Sequence, residues 1–89
     1  MERRRVRFQG RVQGVGFRAT ARSIAEEFPV TGWVRNEQDG SVLMEVQGDG
    51  REIDGYLARL ASGMAGLIRA IDSGPLAPLE GDSGFIIQR

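Results

Sequence analysis

Asp39-Gly40 is the dipeptide that most constrains this chain. It is a strong hairpin signal, although the loop from Asn36 to Ser41 is longer than two residues. Strand-like residues lie on both sides: Val30 to Asn36, with Trp33, before the turn, and Val42, Met44 and Val46 after it. The two strands are predicted to pair antiparallel. A strand that turns straight back into its neighbour leaves no crossover helix, so a doubly wound parallel sheet is excluded at this point.

The other elements arrange themselves around that hairpin. Arg5 to Val12 alternates, with Val6, Phe8 and Val12 on one face and Arg5, Arg7, Gln9 and Arg11 on the other, which predicts a half-buried strand. From Phe17 the period changes. Phe17, Ala21, Ile24, Ala25 and Phe28 line one face of an amphipathic helix that Pro29 ends. Asp49 and Glu52 resemble a capping box for a second helix. Its apolar face is Ile53, Tyr56, Leu57, Leu60 and Ala61, and Ser62-Gly63 is its stop. Leu67 to Ile71 is predicted as a fourth strand, "SGPLAPLEGDSG" as a loop, and "FIIQR" as a short terminal strand. The order β-α-β-β-α-β predicts an α+β, ferredoxin-like split βαβ sandwich. Two helices pack on one face of an antiparallel sheet, with a short extra C-terminal strand. With 89 residues, no internal repeat and no linker, one domain over residues 1–89 is expected.

Composition narrows the chemistry. All twelve basic residues are arginine, balanced by twelve acidic ones, and there is no histidine, cysteine or lysine. A Ser-His-Asp triad, a thiol nucleophile, a zinc knuckle and a Schiff base are therefore excluded. Zero net charge argues against nucleic-acid or membrane partners. No apolar run reaches the roughly 20 residues of a membrane span, and the start lacks a signal-peptide stretch. A cytoplasmic location is expected. The opening cluster Arg3, Arg4, Arg5 and Arg7 reads as a solvated strand face, and Glu26, Glu27, Glu45 and Asp49 as a solvated surface without acid/base pairing.

The densest chemistry lies in "QGRVQGVGFR", residues 9–18, which holds glycines and arginines but no acid. "GVGFRA" fits G-x-G-x-x-A with Glu37 downstream, but the antiparallel hairpin and the short chain reject a dinucleotide fold. A phosphate P-loop fails for want of lysine. Two readings stay open on the residues alone. One is a glycine-rich turn with a solvated arginine. The other is an anion loop: glycines turn successive N–H groups inward, the next helix adds its positive N-terminus, and Arg18 folds its fork over the same cavity. Arg11 reads as a solvent-facing arginine. Thr20 and Ser23 read as capping or solvent residues, and Trp33 as a cover for the open sheet face.

The runs "GRVQGVGFR", "GWVRNEQDGSV", "EVQGDG" and the final "FIIQR" closely resemble the acylphosphatase family, in order and across nearly the whole chain. That resemblance implies metal-independent hydrolysis of the carboxyl-phosphate bond of acyl phosphates, with no cofactor. It places substrate binding on Arg18 and a catalytic role on Asn36, which on its own residues reads equally as turn chemistry before Asp-Gly. It also places a phosphate cradle on the amides of Gln13, Gly14, Val15, Gly16 and Phe17. It implies a small acyl phosphate as substrate and inorganic phosphate as product or inhibitor; a monomer is the default expectation. One departure stands out. Gly63-Met64 replaces the family's Gly-Pro, which predicts a looser connection and a frayed end to the second helix.

The chemistry suits these residue types. The leaving group is a carboxylate whose acid has a pKa of about 4, so no general acid is needed. Phosphoryl transfer asks mainly for positioning and charge stabilisation, which arginine and amides supply. An asparagine amide can hold the attacking water. Three rivals remain. One is a non-catalytic anion-binding module of the same fold. Another is a single-stranded RNA binder, although "SVLMEVQ" lacks stacking aromatics. The last is the front domain of a larger carbamoyl-transferring maturation protein.

Overall fold

The structure, a computed structural model, describes residues 1–89. In chain order it contains β1 (Glu2–Gly10), α1 (Phe17–Ala25), β2 (Thr31–Asn36), β3 (Val42–Gly48), α2 (Gly50–Gly63), β4 (Ile68–Leu76) and β5 (Phe85–Ile87). The sheet order is β4-β1-β3-β2-β5. Four strands pair antiparallel, and the hairpin expected at Asp39-Gly40 sets β2 against β3 with Asn36 opposite Val42. The extra strand β5 joins the β2 edge in parallel, a direction that the sequence left unspecified.

The core lies between the sheet and the two helices. Val6 and Phe8 of β1, Val34 of β2, and Val42, Met44 and Val46 of β3 meet Phe17, Ala21 and Ile24 of α1 and Ile53, Tyr56 and Leu60 of α2. Tyr56 is buried, and its hydroxyl donates to the Ala21 carbonyl at 2.8 Å, locking α2 to α1. Burial raises the Tyr56 pKa well above that of a free phenol, so it stays a donor. The Phe8 and Phe17 rings meet at 4.9 Å, fixing the start of α1 over the middle of the sheet.

Several boundaries differ from expectation for physical reasons. β1 begins earlier and ends at Gly10, where the register with β4 shifts. Gly10 has a φ of 129°, and a side chain there would collide with the Leu67 carbonyl. Val12 is buried beyond the strand. α1 stops at Ala25 rather than Phe28 because Glu26, Glu27 and Phe28 close tighter i→i+3 bonds ahead of Pro29. β4 runs on to Leu76, through Gly74 and Pro75, which corrects the loop assignment there. It is an edge strand, where a missing N–H leaves no ladder partner unsatisfied. The end of α2 is held, not frayed: Met64 is buried in the core and its N–H donates to Leu60.

The arginine cluster is only in part a solvated face: Arg5 is exposed as expected, but its neighbours are not. Arg4 turns to the helix side and pairs with Asp54 of α2 at 2.6 Å. On the opposite face Arg3 is only 2% exposed. Its guanidinium donates to Glu45, Gln47 and Asp82. Glu45 is likewise half-buried in this cluster, not a surface acid. Gln47 also exchanges two hydrogen bonds with the Leu79 backbone, and Thr31 donates to Asp82. Arg3, Gln47 and Thr31 are register neighbours across β1, β3 and β2. Together they fasten a strap, residues 77–84, that crosses the sheet from the β4 edge to deliver β5 at the other.

Partial burial works against the Asp82 charge, yet the hydrogen bonds from Thr31 and Arg3 outweigh it and hold its carboxyl below the ordinary range. A carboxyl that titrates lower folded than unfolded stabilises fully above roughly pH 4 and loses that contribution as pH falls through its folded value. Asp82→Asn is expected to cost about 1–3 kcal/mol at pH 7. Urea midpoints below pH 4 should then fall less steeply than in the wild type. Parallel pH profiles for the two proteins would rule out this account of the strap.

Candidate active site

The turn between β1 and α1 carries Gly14 at φ 75° and Gly16 at φ 78°, and no non-glycine residue of the chain has positive φ. The sign of φ therefore alternates from Gly14 through Phe17. Such alternation points successive N–H groups to one side as a nest. None of the N–H groups from Gln13 to Ala19 donates to a backbone acceptor. Gly16 is the N-cap of α1 and offers no capping side chain, and the first turn holds no acid. The N-terminus of α2 is the opposite case: Asp49 caps it through the Arg51 N–H, and Glu52 sits in its first turn. The N-terminus of α1 is thus the one left open to an outside anion.

A cavity of about 200 Å³ lies against this turn, lined by Val12, Gly14, Gly16, Phe17, Arg18, Ala19, Asn36, Ile87 and Arg89. It contains two arginines and no Asp or Glu side chain. Arg18 and Arg89 take no part in the ion pairs of the chain, whereas the opening cluster is matched by Glu2, Glu45, Asp54, Asp82 and Asp39. Asn36, at the end of β2, is partly buried, and its Oδ1 is enclosed without a donor in the protein. A buried acceptor left unpaired is costly, which sets Asn36 apart from the satisfied polar groups around it.

The structure thus brings Gly14, Gly16, Phe17, Arg18 and Asn36 around one space. Gln13 and Val15 lie outside the lining. Gln13 instead ties the glycine turn to the β2–β3 hairpin, since its Nε2 donates to the carbonyls of Glu37 and Ser41, each at 2.8 Å. That hairpin is braced in turn by Asp39, which accepts from the Ser41 N–H and hydroxyl, and by Arg7 on Ser41. The Ser41 bonds, with a lesser contribution from Arg7, lower the Asp39 pKa. Arg11 is exposed, as expected, and Trp33 lies on the open sheet face beneath the Arg35 guanidinium at 4.9 Å. Ile87 and Arg89 were not foreseen. Only the parallel register of β5 brings them to the cavity, and nothing local in "FIIQR" signals it. No group of three or more His, Cys, Asp or Glu side chains forms a metal site, and no helix is long and apolar enough to cross a membrane.

Fold and site together define a ferredoxin-like α+β domain with an acid-free cavity at an uncapped helix N-terminus. The family model for acylphosphatase matches residues 4–87. An acylphosphatase from Oceanobacillus iheyensis is 44% identical over 68 residues, covering 76% of this chain and 75% of the relative. The crystal structure of acylphosphatase from Bacillus subtilis superposes with a TM-score of 0.91 at 30% identity, over 100% of both chains. That of T. kodakarensis HypF, a much longer chain, superposes with a TM-score of 0.85 at 30% identity over 100% of this chain but 12% of its own. The chain belongs to the acylphosphatase family and is a hydrolase of that class.

Proposed function

We propose that this protein hydrolyses the carboxyl-phosphate bond of small acyl phosphates without a metal ion, and that Arg18, the turn amides and Asn36 perform the reaction. The observation that carries this reading is a single cavity, lined by Asn36, with an open helix N-terminus and an unpaired arginine. The amides of Gly14, Gly16 and Phe17, with those of Gln13 and Val15 behind them, cradle the phosphoryl oxygens. Arg18 adds its two-pronged fork. The Asn36 side-chain amide holds the attacking water and aims its oxygen at phosphorus. The new P–O bond forms as the bond to the acyl oxygen breaks, and the electron pair leaves on the carboxylate. The proton of the water ends on inorganic phosphate, the product.

The leaving carboxylate is stable unprotonated, which accords with a cavity that offers no acid. Charge growing on the phosphoryl oxygens meets fixed N–H dipoles and a guanidinium that need not reorganise. The reading includes one domain over residues 1–89, a monomer in the cytoplasm, and no nucleic-acid or membrane partner. Its test is turnover of benzoyl phosphate with and without a chelator. Equal rates in both are expected. No hydrolysis by the folded protein would sink the proposal, and loss of activity on chelation would sink its metal-free form.

A further inference from the structure

We propose that Arg89 is a second catalytic guanidinium, gripping the phosphoryl group from the sheet side while Arg18 grips it from the helix side. This rests on the proposed function, in which the cavity holds a phosphoryl group.

Position comes first. β5 runs parallel to β2 with Ile87 beside Val34, and the Gln88 N–H donates to the Val34 carbonyl at 2.9 Å. Asn36, two residues beyond Val34, ends β2 on the helix-side face, where Val34, Phe85 and Ile87 meet the core, and Arg89 follows two residues past the end of β5. The cavity lining agrees, since it includes Arg18, Asn36 and Arg89 together.

Charge comes second. Arg89 has no acidic partner, in a chain where six of the twelve arginines form ion pairs. Beside an open helix N-terminus, with no Asp or Glu side chain in the lining, Arg89 is free to meet an entering anion. The Arg18 fork engages two oxygens, and the transition state spreads charge over three. Arg89 supplies a donor for the oxygen that Arg18 does not reach.

Size decides what Arg89 touches. At about 200 Å³ the cavity is smaller than the roughly 300–1,000 Å³ that encloses a drug-sized ligand. A space of that size takes one phosphoryl group, with an acyl tail left to extend towards solvent. Both arginines therefore converge on the one phosphoryl group.

The test separates binding from turnover. Inorganic phosphate is titrated calorimetrically into the wild type, Arg89→Ala and Arg89→Lys. Initial rates are measured with acetyl phosphate and with succinyl phosphate, whose acyl tail carries a second charge. Arg89→Ala is expected to weaken phosphate binding about 10-fold, and to lower kcat/KM for both substrates by a similar factor. Arg89→Lys should recover part of each loss, because it keeps the charge without the fork. A purely structural role would lower the melting temperature and leave no such recovery. Phosphate affinity within twofold of wild type in Arg89→Ala overturns the proposal. So does a loss confined to succinyl phosphate, which would make Arg89 a reader of the acyl tail. Failure of the wild type to hydrolyse either substrate would instead strike the functional reading, and the phosphate titration would still report on Arg89.

Discussion

Arg18→Ala is expected to lower kcat/KM for benzoyl phosphate by about 2–4 kcal/mol of transition-state stabilisation, roughly 30- to 900-fold. The reasoning starts from what Arg18 lacks. It forms no ion pair, so its removal strands no acid, and as a half-exposed helix residue it should change stability by no more than about 0.5 kcal/mol. Activity and stability should therefore separate cleanly. Arg18→Lys should also be poor, since an ammonium cannot span two oxygens as the planar fork does. Near-wild-type turnover in a folded Arg18→Ala protein would remove Arg18 from the mechanism. A drop in activity that tracks a drop in melting temperature would assign it to the fold instead.

Asn36→Ala should cut kcat by about 10²-fold, the scale of loss when a reacting group is no longer held in line. Here too the side chain has little structural work to lose. Its oxygen has no donor in the protein, so truncation leaves no partner unsatisfied and the melting temperature should hold or rise. Asn36→Asp makes a sharper probe. It keeps the shape and an acceptor, but it sets a negative charge against an anionic substrate in a cavity lined by no Asp or Glu side chain. Weaker phosphate binding as well as slower turnover is expected for that variant, whereas Asn36→Ala should mainly affect turnover. Wild-type kcat in Asn36→Ala would return Asn36 to the role of a hairpin residue.

How much of the molecule is legible in its sequence follows the range over which each signal acts. The switch from period two to a helical period at Phe17, the Asp39-Gly40 turn and the Asp49 cap are local, and the structure places all three where expected. The arrangement of Gly14, Gly16 and Arg18 at a helix start is local too, so the anion loop could be proposed from its residues. Asn36 needed more. Its place beside that loop depends on two separate strands meeting, and the family resemblance supplied what spacing could not. Arg3 misled because alternation says which face a residue takes, not what covers that face. Its cover comes from Asp82 and Leu79, far along the chain. Arg89 was invisible for the same reason, since its location follows from the parallel pairing of a three-residue strand.

The strap over the sheet has a thermodynamic consequence for the cavity. β5 is short and lies at an edge, so its release is a local opening that uncovers Phe85 and Ile87 while leaving the other strand pairings intact. That strand carries Ile87 and is followed by Arg89, and the two form one wall of the cavity. An anion bound there favours the closed form alone, and by mass action it draws β5 onto the sheet. Occupancy of the cavity and protection of the chain's last strand from solvent exchange are thus two readings of one equilibrium. Arg3, buried on the opposite face, weights that equilibrium towards the closed form through Asp82.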